Sequence, residues 1–405
     1  MLRLLLLLGI SAFPAFAADW PTLHGPARDG HSTERGLNWK WKPQGPATAW
    51  KSEVGAGLAG PAVADGTVYL FHRIDRDDVL TAWNAETGKE LWKYAKPTKF
   101  VDDYAVGDGP RCTPLIHGGT VFVYAADGQL HAVAAKSGKE IWSRNLFKEY
   151  AAPKGYFGVG AGPAVVDDKL IVNVGAKGAC VVALDLATGK ELWKTGNDAA
   201  SYSSITSTQI NGTPHVVAFT RAGLLVLDAK NGTVKFRKDW RSRLDASVNA
   251  STPIIWNDQV FLTASYGTGA ALLKLKGEEP EEIWTGDKSM SCQFNTPVRI
   301  GDHLYGLHGR QEGRSAELRC VEWSTGKVLW SQERFGLAHV IAVDGGLLAI
   351  TEGGELIRFE ASPKAYSEVA RATVADGTVR AAAALADGRL YLRNEKMLFC
   401  ISLKP

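Results

Sequence analysis

Few residue patterns in this chain of 405 residues can carry chemistry, and most fail on their surroundings. Gly55-Ala56-Gly57-Leu58-Ala59-Gly60 has the G-x-G-x-x-G spacing of a dinucleotide loop. That chemistry requires a helix whose N-terminus faces the pyrophosphate. Here Pro61 and an Asp65-Gly66 turn follow, so the segment reads as a loop. No G-x-S-x-G provides a nucleophile elbow. The nine histidines include no H-E-x-x-H, and His303 and His308 only flank Tyr305 across one strand. Cys112, Cys180, Cys292, Cys320 and Cys400 lie far apart without a C-x-x-C. Their odd number leaves at least one unpaired.

Function classes narrow further from composition. A formal charge of +3, with basic residues scattered, gives no case for nucleic acid. Residues 1–17 read as a cleavable signal peptide: Arg3, an apolar run from Leu4 to Ile10, and the small-x-small site Ala15-Phe16-Ala17. No cysteine follows that site, so no lipobox is expected. No later apolar run is long enough to span a bilayer. The expected location is periplasmic or secreted.

The elements come from repetition. Thr87-Gly88-Lys89-Glu90-Leu91-Trp92 returns as Ser137 to Trp142, Thr188 to Trp193 and Thr325 to Trp330. Weaker copies are Asn231 to Phe236 and Ile283-Trp284. The period is roughly 45–50 residues, that of propeller blades. Each unit opens on a proline after a small residue, as at Gly60-Pro61, Thr113-Pro114 and Thr252-Pro253. Short β-branched and aromatic runs then alternate with Gly, Asn and Asp turns, a four-stranded meander. The fold expected is all-β: a single closed β-propeller of about eight four-stranded blades over residues 47–405. The strand around Trp50 completes the last blade and removes an exposed edge. Residues 18–46 are a leader outside the repeats. Trp50, Trp92, Trp142, Trp193, Trp284 and Trp330 are structural, and Trp92, Trp142 and Trp193 are expected to be buried between neighbouring blades. Cys320 and Cys400 stand where other repeats carry Ala82, Ala132 and Ala183.

Inner-strand ends crowd around a propeller axis, so they are where a ligand would meet the chain. Aligned on the repeat, they are Leu58, Arg111, Gly160, Tyr202, Ala250, Phe294, His339 and Arg380. Arg111 and Arg380, completed by Tyr202, Asn249 and Asn295, would suit a small anionic ligand. No Asp or Glu is clearly placed beside them, and no metal site is expected.

Asn84-Ala85-Glu86-Thr87-Gly88 through Trp92, and Asp185-Leu186-Ala187-Thr188-Gly189 through Trp193, resemble the pyrroloquinoline-quinone (PQQ) propeller repeat, A-x-D-x-x-T-G-x-x-x-W. That family holds quinoprotein dehydrogenases and a non-catalytic outer-membrane assembly lipoprotein. The adjacent cysteines of the quinoprotein alcohol dehydrogenases are absent, as is the acylated cysteine of the lipoprotein. The opening Trp20-Pro21-x-x-x-Gly25-Pro26-x-Arg28-Asp29-Gly30 resembles the start of many uncharacterised exported propellers. The function expected is a non-catalytic scaffold, without cofactor, that binds an envelope protein or polymer through its rim loops. The alternative is a short PQQ-dependent oxidoreductase with PQQ and calcium on the axis.

Overall fold

Eight four-stranded antiparallel sheets, each a meander, form the computed structural model. It describes residues 18–42, 44–104, 106–244, 247–311 and 316–405. The expected signal peptide lies outside the described residues. Seven blades are continuous in sequence, beginning with Ala62–Ala64, Thr67–Ile74, Asp77–Asn84 and Glu90–Pro97 as blade 1. Blade 8 combines Ala384–Ala386, Arg389–Arg393 and Met397–Ser402 with the N-terminal strand Thr48–Glu53. The propeller is therefore closed by its own first strand, as the repeat pattern predicts. One short helix, Leu146–Tyr150, links blades 2 and 3, capped by the Asn145 side chain.

Every blade carries the same device on its outermost strand. Ala82 faces Trp92 and Trp83 faces Glu90, so Leu91 is skipped as a bulge. Ile141, Leu192, Lys235, Ile283, Leu329, Val369 and Ala49 are skipped in the same way. A bulge twists the strand and interrupts its free hydrogen-bonding edge, which blocks pairing with another chain. It also explains why Leu91, Ile141 and Leu192 are about half exposed.

The tryptophans lock blade to blade. The indole N–H of Trp92 donates to Ala135 O in the next blade (3.0 Å), and Trp142 to Leu186 O (3.0 Å). Trp50, Trp193, Trp284 and Trp330 repeat the bond to Ala85, Ala229, Trp323 and Ser362. Only Trp193 is fully buried; the other five are half-buried. The expected burial between blades holds for Trp193 and is corrected for Trp92 and Trp142: the outermost strand borders solvent, so each of these indoles seals a seam and keeps an open side. All five cysteines are free and buried. Cys320 lies between Tyr305 and Trp330, and Cys400 between Tyr391 and Trp50, the places held by Ala82 and Ala132 in blades 1 and 2.

Candidate functional site

The inner strands enter from one end of the propeller, the loop end, and turn back at the other. Around the axis they are stitched by a repeated bond. The N–H of Gly60 donates to Thr113 Oγ1 of blade 2 (3.2 Å). Gly162 donates to Ser204 Oγ of blade 4 (3.1 Å), and Thr252 to Thr296 Oγ1 of blade 6 (2.9 Å). A hydroxyl before the inner strand of every even blade up to the sixth thus satisfies a buried donor of its neighbour.

Inside this ring lies a cavity of about 780 Å³. All eight aligned inner-strand ends, from Leu58 to Arg380, line it. The predicted site residues divide. Arg111, Tyr202 and Arg380 reach the cavity. Asn249 and Asn295 are buried in the ring: Asn249 Nδ2 donates to Thr220 O (2.8 Å) and Asn295 Nδ2 to Ala338 O (3.0 Å). Neither amide is part of the lining, because each is spent on a carbonyl.

Two carboxylates stand beside the arginines, where sequence reasoning placed none. Arg111 Nη2 meets Asp102 Oδ2 at 3.0 Å, with Gly107 O at 2.9 Å and the Phe100 ring beneath the guanidinium. Asp102 also accepts the N–H groups of Tyr104, Val106 and Gly107. Arg380 Nε meets Glu352 Oε1 at 2.7 Å, and Gln311 Nε2 donates to the same oxygen. Asp102 sits in the long connection before blade 2, and Glu352 in a turn of blade 7; neither falls on the aligned position. The connection carrying Asp102 is, with 146–163, one of the two longest between blades, and that length was its only signal in the sequence. Tyr202 OH accepts the Phe157 N–H (2.9 Å), and burial raises its phenol above the usual range.

Leader residues make the floor. Trp20 pairs with Val63 of blade 1 and packs into the core, and Pro21 O accepts the N–H of Ile116 in blade 2. Arg28 donates to Ile205 O (2.9 Å) and Pro163 O (2.5 Å), joining blades 3 and 4. His31 reaches Arg299 O of blade 6, and Gly30 and Ser32 pair with Ala342 of blade 7. Trp39 donates to Asp344 of blade 7, and Asn38 to Leu403 of blade 8. Residues 20–39 thus belong to no blade yet cross the turn end of the axis, placing Leu23 and His24 in the cavity lining. Burial, then His339 and Arg28, pushes His24 down to about 3, and burial lowers His339. Both imidazoles are neutral at neutral pH. His339 Nε2 donates to Arg380 O (2.9 Å).

Above this floor the walls are mainly apolar and aromatic, including Phe157, Tyr202, Tyr266 and Phe294. Val106 and Leu244, both exposed, stand at the mouth. A calcium-held quinone would need free carboxylate oxygens here. Asp102 and Glu352 are both committed to arginines, and among the described residues no group of three or more His, Cys, Asp or Glu is placed to hold a metal ion. The residues present do not fit that cofactor.

This architecture defines an eight-bladed propeller with a floored axial cavity. The family described as outer membrane protein assembly factor BamB matches residues 41–194 and 103–332. The chain belongs to this family of PQQ-repeat propellers. It is 25% identical over 264 residues to the outer membrane protein assembly factor BamB of Burkholderia pseudomallei, covering 62% of this chain and 61% of that one. It is 28% identical over 224 residues to the quinohemoprotein alcohol dehydrogenase ADH-IIG of Pseudomonas putida, covering 48% of this chain and 30% of the enzyme. The chain thus spans less than two thirds of the length of either relative. Among solved structures, BamB from Moraxella catarrhalis superposes with a TM-score of 0.64 at 14% identity, over 88% of this chain and 99% of that one. Quinohemoprotein alcohol dehydrogenase from Comamonas testosteroni gives 0.54 at 16% identity, over 95% and 80%. Both likenesses are of fold.

Proposed function

We propose that this chain is an exported, non-catalytic propeller of the cell envelope that binds a partner protein or polymer at its loop end. One observation carries the reading: the axial cavity is floored by the leader and rimmed at its open end by exposed apolar side chains. Val106 and Leu244 line the mouth at 41% and 55% exposure, and Tyr104, 53% exposed, packs its ring on the lining Phe157 (5.2 Å). Clustered apolar exposure at the mouth of a concavity marks an interaction surface. The similarity to BamB supports a scaffold. The pairing of Arg111 with Asp102 and of Arg380 with Glu352 leaves neither carboxylate as a ready base.

The test is a photo-crosslinking residue at Leu244, with Lys235 on the outermost strand of blade 4 as control. Adducts with one defined envelope component at Leu244 alone support the reading. Equal labelling at both positions, or none, defeats it. Incubation with PQQ and calcium separates the oxidoreductase alternative. Cofactor absorbance that survives gel filtration would establish that alternative in its place.

A further inference from the structure

Beside the axial cavity lies a second, smaller pocket of about 190 Å³, between the end of blade 8 and the glycine-rich loop before blade 1. Its lining includes Gly57, Thr378, Arg380, Arg393, Asn394 and Glu395. Arg393 is 1% exposed. Its Nε donates to Asn394 O (2.9 Å) and its Nη2 to Gly55 O (2.7 Å) and Glu395 O (3.3 Å). These are all neutral carbonyls. Its Nη1 is buried and has no hydrogen-bond partner. A buried cation with an orphan donor is costly unless an anion or water completes it.

The nearby groups do not complete it. Glu395 is on the pocket wall and its charge acts on both Arg393 and Arg380, but its Oε2 accepts the Thr378 N–H (3.1 Å) and only its backbone carbonyl bonds Arg393. The Asn394 amide is spent on Asp376 O, and its oxygen on the N–H groups of Lys396 and Met397. Arg380, held by Glu352 through Nε, brings a second guanidinium to the lining. The G-x-G-x-x-G segment supplies the roof. Gly57 has φ +144°, and a Cβ there would stand 2.9 Å from Pro110 O and 3.5 Å from Arg393 Nη1. Only glycine leaves the space over the guanidinium open. Burial lowers the Arg393 pKa to about 10, which keeps the group charged at neutral pH. The volume exceeds the roughly 30 Å³ share of one water several-fold.

We infer that this pocket binds a small oxyanion, of the sulfate, phosphate or carboxylate kind, between the guanidinium groups of Arg393 and Arg380. The pocket shares Leu58, Val106 and Arg380 with the axial cavity, but its anion contact rests on Arg393, which the mouth surface does not use. Arg393 provides the fixed, desolvated donor, and Arg380 the solvent-reachable one. Because its Nε and Nη2 are committed to carbonyls, Arg393 offers the anion a single charge-assisted hydrogen bond from Nη1.

The test titrates the full chain with sodium sulfate, sodium phosphate and sodium acetate at an ionic strength held constant with sodium chloride, read by calorimetry and by melting temperature. Expected is one saturable site for at least one of the three anions, with a rise in melting temperature. Arg393→Met should abolish it, and Arg380→Gln should weaken it by about tenfold, the loss of one charge-assisted contact. Arg371→Gln, on the outermost strand of blade 7, should leave it unchanged. No saturable response in the wild type overturns the inference. So does affinity unaltered in Arg380→Gln, an outcome that stands even if Arg393→Met does not fold.

Discussion

The indole of Trp142 in blade 2 lies directly over Gly189 of blade 3, so that a Cβ on Gly189 would stand 2.8 Å from Trp142 Cδ2. The same relationship joins Trp50 to Gly88, Trp92 to Gly138, Trp193 to Gly232 and Trp284 to Gly326. The two signature residues of the repeat are therefore one contact, made between neighbouring units. Glycine is required twice over: for its φ of +68°, and for the space the indole takes.

Gly189→Ala should accordingly cost more than a turn glycine without a neighbour. Gly178 has φ +73° and nothing within 4 Å of a built Cβ. Gly178→Ala is expected to cost about 1 kcal/mol of backbone strain. Gly189→Ala should cost about 2–4 kcal/mol, the same strain plus displacement of the indole. Urea unfolding of the two variants decides, and equal costs would remove the steric half of the argument.

The two cavity arginines should behave differently. The Asp102 side chain is fully buried and that of Arg111 8% exposed, whereas Arg380 and Glu352 are 31% and 25% exposed. Arg111→Ala strands a buried carboxylate and should cost about 3 kcal/mol. Arg380→Ala should cost about 1 kcal/mol or less, since solvent screens that pair. Thermal unfolding at two salt concentrations measures both, and only the Arg380 pair should weaken visibly with salt.

Leader and closing strand can be separated by truncation. Removing residues 18–46 while keeping Thr48–Glu53 takes away the floor but leaves blade 8 complete. The product should still melt cooperatively, at a lower temperature. Removing residues 18–54 exposes the edge of Met397–Ser402, and should give aggregation or a broad transition. Arg28→Ala alone should cost about 1.5–3 kcal/mol, through its bonds to two carbonyls. Identical melting of both truncations would show that the first strand does not close the propeller.

Acid should weaken the fold through buried histidines. His72 accepts the Gly55 N–H at Nδ1 (2.8 Å) and is bonded to Thr81 at Nε2, so its ring is held neutral. Burial, then the nearby charges of Arg393 and Lys93, depresses it to about 3. Its unfolded value is near 6.5, so between the two the unfolded chain binds a proton that the folded chain refuses. Stability present above pH 6.5 is therefore lost as pH falls, by about 2 kcal/mol from pH 7.5 to 5 for this residue. Asp78 acts oppositely: burial raises it to about 6, so acid favours its folded form. The comparison of wild type with His72→Gln isolates the histidine. A flatter stability profile is expected in the variant, and parallel profiles would contradict it.

Blade number and strand order are legible in the sequence because each is local, and ring closure follows from them, since an orphan fourth strand at Trp50 matches a last unit of three strands. A Gly turn, a bulged strand and, in most units, a Trp recur at fixed spacing, so the strong units reveal the weaker ones, such as those with Phe236 and Ala370 in the Trp position. The eight axial positions are legible for the same reason, since aligning the units superposes the inner-strand ends that all line the cavity. What lies between those ends was decided by tertiary structure. Asp102 and Glu352 come from connections of different length, so no alignment brings them to Arg111 and Arg380. Asn249 and Asn295 sit one residue either side of an axial position, and the chain's path turns their amides into the ring. The floor is the clearest case. Trp20, His24 and Arg28 precede the repeats and have no period to betray them. They reach the axis only because the closed propeller presents free carbonyls and N–H groups at one end, and a nearby segment rich in turns can satisfy them.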